Sequence, residues 1–156
     1  MKSLADRRRN SYTLIEILVV VTIIGLIAAI STVSYTILSK QSRDATRKAD
    51  LEQVRSAIEM YRSNNASGLY PTGFTMPCNS VVAINDATNT YLSRIPQDPK
   101  CSTSIPTYNY YYSSDGLDYT IAAYLERTSS CLVPMGADSC GTGKACNYCL
   151  GPYGQK

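Results

Sequence analysis

The sequence predicts an α+β protein: one long N-terminal α-helix packed on a small antiparallel β-sheet, with a Cys-rich C-terminal loop. Three observations carry this expectation. Residues 13–38 are nearly all apolar and pass without a break into a charged, amphipathic stretch that meets stop signals only at Asn64, Asn65 and Gly68. Tyr-rich and β-branched segments flank Ser114-Asp115-Gly116, which is how a hairpin reads. All six cysteines lie well beyond the apolar helix, from Cys78 onward.

Taken in order, the chain divides into a basic leader at 1–11, an apolar helix at 12–38, an amphipathic continuation at 39–65, and a head at 66–156. The leader holds four of the fifteen basic residues and one of the twelve acidic ones. The rest is therefore formally neutral, and the alkaline pI belongs to the leader. Basic residues beside an apolar span favour a cytoplasmic leader. They are poor grounds for nucleic-acid binding, since no basic stripe follows them. The apolar helix exceeds the 20 or so residues that cross a bilayer. Residues 12–62 as one helix would measure about 76 Å, more than a domain of this size buries. The stretch Ser31-Thr32-Val33-Ser34 is expected to be its soft point, because Ser and Thr compete for backbone hydrogen bonds and β-branched residues lose rotamer freedom.

Beyond Lys40, Leu51, Val54, Ile58 and Tyr61 fall on one stripe and should face the head. Asp44 with Lys48, Lys48 with Glu52, and Arg55 with Glu59 have the spacing of pairs on an exposed helical face. Val81 to Leu92 carries a weak helical pattern, and Ile95-Pro96-Gln97-Asp98-Pro99 reads as irregular. The hairpin is expected over 107–126. From Thr128 onward the chain shows no period and reads as a crosslinked loop.

Histidine is absent. That excludes Ser-His-Asp and Cys-His catalysis and every His-ligated metal site. No catalytic residue and no cofactor is expected. Cys78, Cys101, Cys131, Cys140, Cys146 and Cys149 are an even set beyond the apolar helix, which favours disulfides. Cys78 with Cys101 is the preferred pair and would contribute about 3 kcal/mol in the chain-entropy account. Cys131 and Cys140 are left to pair with Cys146 and Cys149 in an open order. A zinc knuckle on Cys146-x-x-Cys149 is the alternative, but Cys131 and Cys140 do not supply its second half. Thirteen tyrosines against one phenylalanine fit a half-wet sheet better than an adhesive surface.

The most informative residue is Glu16, set inside an apolar run. A carboxylate in hydrocarbon costs about 2.5–3.5 kcal/mol on insertion scales, so it marks a partner from outside the helix. A plain signal sequence has no use for it.

Ser11-Tyr12-Thr13-Leu14-Ile15-Glu16, after a short basic leader and before the apolar helix, resembles the class III leader of type IV pilins and pseudopilins. The resemblance implies cleavage by a prepilin peptidase between Ser11 and Tyr12, N-methylation of Tyr12, and a glutamate at the fifth mature position, where Glu16 falls. Gly25 also matches. Ser11 replaces the more usual glycine before the cut, and Val33 stands where a late proline is common. In a filament, Glu16 of one subunit would neutralise the Tyr12 amine of a neighbour and fix helix register.

The resemblance implies a pilin-like fold and a structural subunit of a type IV pilus-like filament, held in the cytoplasmic membrane before assembly and in an extracellular fibre afterwards. Its expected partners are further copies in a helical homo-oligomer, the prepilin peptidase, and an assembly ATPase with its platform machinery. No nucleic acid is expected. The alternatives are a major pseudopilin of a type II secretion system, making a periplasmic piston, and a membrane-anchored extracytoplasmic binding domain. Major pseudopilins carry calcium in a loop comparable to the hairpin turn, which makes Asp115 and Asp118 candidate ligands. Two carboxylates are few for calcium and no EF-hand spacing is present, so turn chemistry is the preferred reading.

Overall fold

The computed structural model describes residues 12–79, 81–102, 108–127 and 129–156, with backbone alone at 32–34. The leader with Ser11, the first residue of the expected hairpin and, in the expected soft point, the side chains of Thr32, Val33 and Ser34 lie outside the described residues. The chain forms two compact units, Met1–Ser39 and Lys40–Lys156.

The first element is α1, Leu14–Asn64, 51 residues long. Its start is written in Thr13-Leu14-Ile15-Glu16. The Thr13 hydroxyl accepts the Glu16 N–H at 3.3 Å, and the Glu16 carboxylate accepts the Thr13 N–H at 3.4 Å. This is a reciprocal capping box that satisfies two orphan donors of the first turn. Just past its end the chain turns at Gly68, whose φ of 64° suits a residue without a Cβ penalty and whose N–H donates to the Asn65 carbonyl at 2.9 Å. Arg62 Nε donates to the Gly68 carbonyl at 3.0 Å across that exit.

In the second unit α1 turns one stripe inward. Leu51, Val54 and Ile58 are fully buried, Ala57 joins them, and Tyr61 packs at the margin. The charged partners differ from the expected exposed pairs. Asp44 is buried and pairs with Arg47, Arg55 pairs with Glu52, and Glu59 accepts hydroxyls from Tyr70 and Tyr119. The cause is tertiary: the helix face that carries Asp44, Arg47 and Glu59 lies against the head, which brings Asp98 to Arg47, the Glu126 N–H to Asp44 and the Tyr119 hydroxyl to Glu59.

Residues 81–92 form a hairpin, not a helix. Strands β1, Ile84–Asn85, and β2, Thr90–Leu92, pair antiparallel with an irregularity after Ile84. Asp86 decides this locally, because its Oδ1 accepts the N–H of Thr88 at 2.7 Å and of Asn89 at 2.6 Å. An Asx turn of this kind competes directly with helix formation.

The main sheet has four antiparallel strands in the order β3-β4-β5-β6: Tyr111–Ser114, Tyr119–Ala123, Tyr148–Gly151 and Gly154–Gln155. The expected hairpin is β3–β4, in register from Tyr111↔Ala122 to Ser114↔Tyr119. The segment after residue 128 is not loop throughout, since it supplies β5 and β6. All four residues of β5 are buried, so no alternation marks the strand. Both faces are covered for different reasons. Tyr119, Ile121, Ala123, Tyr148 and Leu150 join the helix stripe in one cluster, while Ala122 and Cys149 face a second cluster with Cys140 and Cys146.

Five of the thirteen tyrosines are buried, Tyr70, Tyr110, Tyr112, Tyr119 and Tyr148, and five more are half-buried. Four of the buried hydroxyls find an acceptor: Glu59 for Tyr70 and Tyr119, Asp50 for Tyr110, the Pro71 carbonyl for Tyr112. A phenylalanine could fill the same space but could not bridge to the helix carboxylates. Burial pushes the Tyr112 hydroxyl up to about 12, and raises Tyr110 and Tyr119 further, with the neighbouring carboxylates Asp50 and Glu59 adding to the effect.

Candidate functional site

Two places stand out, and the first holds the residues that the sequence singled out for assembly. The first is the start of α1. Tyr12 and Glu16 are exposed, and every large apolar side chain described from Leu14 to Leu38 is about half exposed or more, with Val19 and Val20 the least at 48%. Such a helix, apolar all round, needs a membrane or other protein copies around it. It is long and apolar enough to cross a membrane. The Glu16 carboxylate takes the Thr13 N–H at 3.4 Å and its hydroxyl at 3.5 Å, both through Oε2, so it keeps acceptor capacity for a group from elsewhere. The Thr-x-x-Glu signature was legible in the sequence, and it gives Glu16 a second role as the first-turn cap. A negative charge there also meets the positive end of the helix dipole.

The second place is where α1 meets the head. Arg47 is fully buried, its Nε 2.7 Å from Asp98 Oδ2 and its Nη2 3.1 Å from Asp98 Oδ1, a forked pair. Its Nη1 also donates to Asp44 at 2.8 Å and to Glu126 at 3.2 Å. Glu126 collects Arg43 at 2.6 Å and Lys100 at 2.9 Å as well. Those cations, Arg43 first, hold the Glu126 carboxyl far below the usual carboxylate range. Asp44 completes the seam by accepting the backbone N–H of Glu126 and Arg127 at 2.9 and 3.0 Å. The network joins three segments distant in sequence: the helix, the Pro-flanked loop of Asp98, and the exit of β4. Sequence reasoning missed it, because a buried arginine carries no periodic signal. The only hint was an Asp fixed between Gln97 and Pro99 in a loop that has to be held by something.

The cysteines are paired as Cys78–Cys101, Cys131–Cys149 and Cys140–Cys146, with Cα separations of 5.5, 5.4 and 5.1 Å. The open order is thus resolved in the structure, and Cys146 and Cys149 go to different partners. Cys131–Cys149 ties the loop after β4 to the central strand β5. Cys140–Cys146 closes the turn that leads into β5.

Asp115 and Asp118 are both engaged. Asp115 Oδ1 accepts the N–H of Leu117 at 2.9 Å and of Asp118 at 2.8 Å, which lowers its pKa. Asp118 Oδ1 accepts the Tyr119 N–H, and its Oδ2 lies 2.6 Å from Lys156 Nζ. Among the described residues no group of three or more His, Cys, Asp or Glu side chains could hold a metal ion. Both carboxylates are thus engaged within the chain, by backbone N–H groups and, for Asp118, by Lys156 as well.

The family model for the prokaryotic N-terminal methylation motif matches residues 6–32. A type II secretion system core protein G from Klebsiella pneumoniae is 31% identical over 101 residues, covering 60% of this chain and 70% of the relative. The core protein G of Aeromonas hydrophila is 30% identical over 102 residues, covering 60% and 68%. That of Pseudomonas aeruginosa is 29% identical over 100 residues, covering 60% and 69%. No solved structure matches. With the methylation motif, the exposed apolar helix and the sheet-bearing head on one chain, the protein belongs to the type IV pilin and pseudopilin family, a family of structural subunits.

Proposed function

We propose that this chain is the repeating subunit of a pilin-type filament, cut between Ser11 and Tyr12 by a prepilin peptidase and methylated at the Tyr12 amine. The observation that carries the proposal is the apolar half of α1, exposed on all sides and headed by a single carboxylate within a matching methylation motif. In the membrane that surface faces lipid; in a filament it faces the same surface of other copies. Release of the leader creates a cationic amine on Tyr12, and Glu16 of a neighbouring subunit supplies the counter-charge. Assembly would draw on an ATPase and platform protein at the cytoplasmic membrane.

Two destinations share this physics. A periplasmic pseudopilus of a type II secretion system is favoured by the relatives, each named as a core protein G. A surface fibre is favoured by a head closed with three disulfides, which suits exposure outside the cell. Shearing cells and probing the sheared, periplasmic and membrane fractions distinguishes them. Filaments in the sheared fraction, with protein secretion intact after gene deletion, establish the fibre. Loss of secreted proteins on deletion, with no sheared material, establishes the pseudopilus. Monomers confined to the membrane in every condition would contradict both.

A further inference from the structure

We propose that the Lys156 ammonium serves, from within the chain, as the cation of the β3–β4 turn, so that the head is closed there without a metal ion. Lys156 Nζ lies 2.6 Å from Asp118 Oδ2, 2.9 Å from the Tyr119 carbonyl and 3.4 Å from Thr120 Oγ1. A carboxylate, a carbonyl and a hydroxyl are the hard oxygens a calcium ion would take. An ammonium has three donors, and here each has one acceptor.

The second observation is independent of those contacts. The Lys156 side chain reaches the turn by crossing Gly151 of β5. A Cβ built at Gly151 would stand 2.2 Å from Lys156 Cε and 2.9 Å from its Nζ. Gly151 is not one of the glycines with positive φ. Its lack of a side chain therefore provides room, not backbone freedom. The start of the lysine is pinned as well: its N–H donates to the Cys149 carbonyl at 3.0 Å, and its own carbonyl accepts the Leu132 N–H at 3.4 Å. One residue thus ties the turn, the central strand and the loop beside the Cys131–Cys149 bridge.

Asp118 is 55% exposed and Lys156 24% exposed at their side chains. An ion pair that wet contributes little by itself. The contribution expected here comes from the three-oxygen cradle and from the lysine stem covering Gly151. A calcium ion wants six to eight oxygens at about 2.3–2.6 Å. It would have to displace the ammonium and take Asp115 and Asp118 oxygens away from backbone N–H groups.

The test uses the full chain in detergent micelles, with thermal unfolding followed in excess calcium and in excess chelator. Wild type, Lys156→Met, Gly151→Ala and the double variant are compared. The wild-type transition is expected at the same temperature in calcium and in chelator. Each single variant is expected to lower Tm by about 2–5 °C. The double variant should lose no more than the larger single loss, since both substitutions remove the same cradle. A wild-type Tm that rises in calcium, a Lys156→Met protein as stable as wild type, or losses that add would each overturn the proposal. If a variant fails to fold, the wild-type comparison in calcium and chelator decides alone.

Discussion

Replacing Arg47 with methionine is expected to destabilise the head by about 3–5 kcal/mol, the range for breaking a buried ion pair from one side. Arg47 and Asp98 have side-chain exposures of 0% and 1%. After the substitution Asp98 keeps the Lys100 N–H at 2.7 Å, but its carboxylate stays in the interior without a counter-charge. Asp44 and Glu126 lose a shared donor at the same time. Urea unfolding of the full chain in micelles measures the loss. Pairing Arg47→Met with Asp98→Asn should recover part of it, because the stranded charge is then gone. A stability change below about 1 kcal/mol would show that water reaches Asp98. The same seam sets an acid limit. Glu126 has a folded pKa below its unfolded value of about 4.3. Its contribution is therefore complete above that value and is lost as pH falls below it.

Glu16→Ala is expected to permit leader cleavage yet lower filament yield by about tenfold or more, since even 1.4 kcal/mol of unpaired charge is a factor of ten. The capping box complicates this variant, because alanine removes the cap and the charge together. Glu16→Gln separates them: glutamine keeps the capping geometry with Thr13 and has no charge. If neutralisation of the Tyr12 amine is the role of Glu16, the glutamine variant assembles as poorly as the alanine one. If the cap is the role, the glutamine variant assembles normally and Thr13→Val is the defective one. Filament yield in sheared fractions, with leader removal checked on the same samples, reads all three.

Local signals in the sequence were enough for α1, because the apolar run passes into the amphipathic stripe without a breaker and the stop signals begin at Asn64, where the helix ends. The β3–β4 hairpin was legible for the same reason, since Asp115-Gly116 demands a turn wherever it lands. What escaped depended on partners distant in the chain. Val81 to Leu92 looks faintly helical until Asp86 closes its own turn. Strand β5 looks like loop because Cys149 and Gly151 break the usual strand composition. One is there for its bridge and the other for the lysine that crosses it. Likewise Asp44, Arg47 and Glu59 have the spacing of surface charges, and only the docked head buries the first two and half-covers the third. At the candidate assembly site, Glu16 was conspicuous because it violates the apolar pattern. Arg47 and Lys156 were not, because a charged residue outside an apolar run is ordinary.

The central claim is that the chain is matured at Tyr12 to build a filament, and the intact mass of the protein from sheared and membrane fractions tests it most directly. The account predicts a species lacking Met1 to Ser11 and heavier by one methyl group. A full-length mass in every fraction, or an amino terminus at another residue, would contradict it.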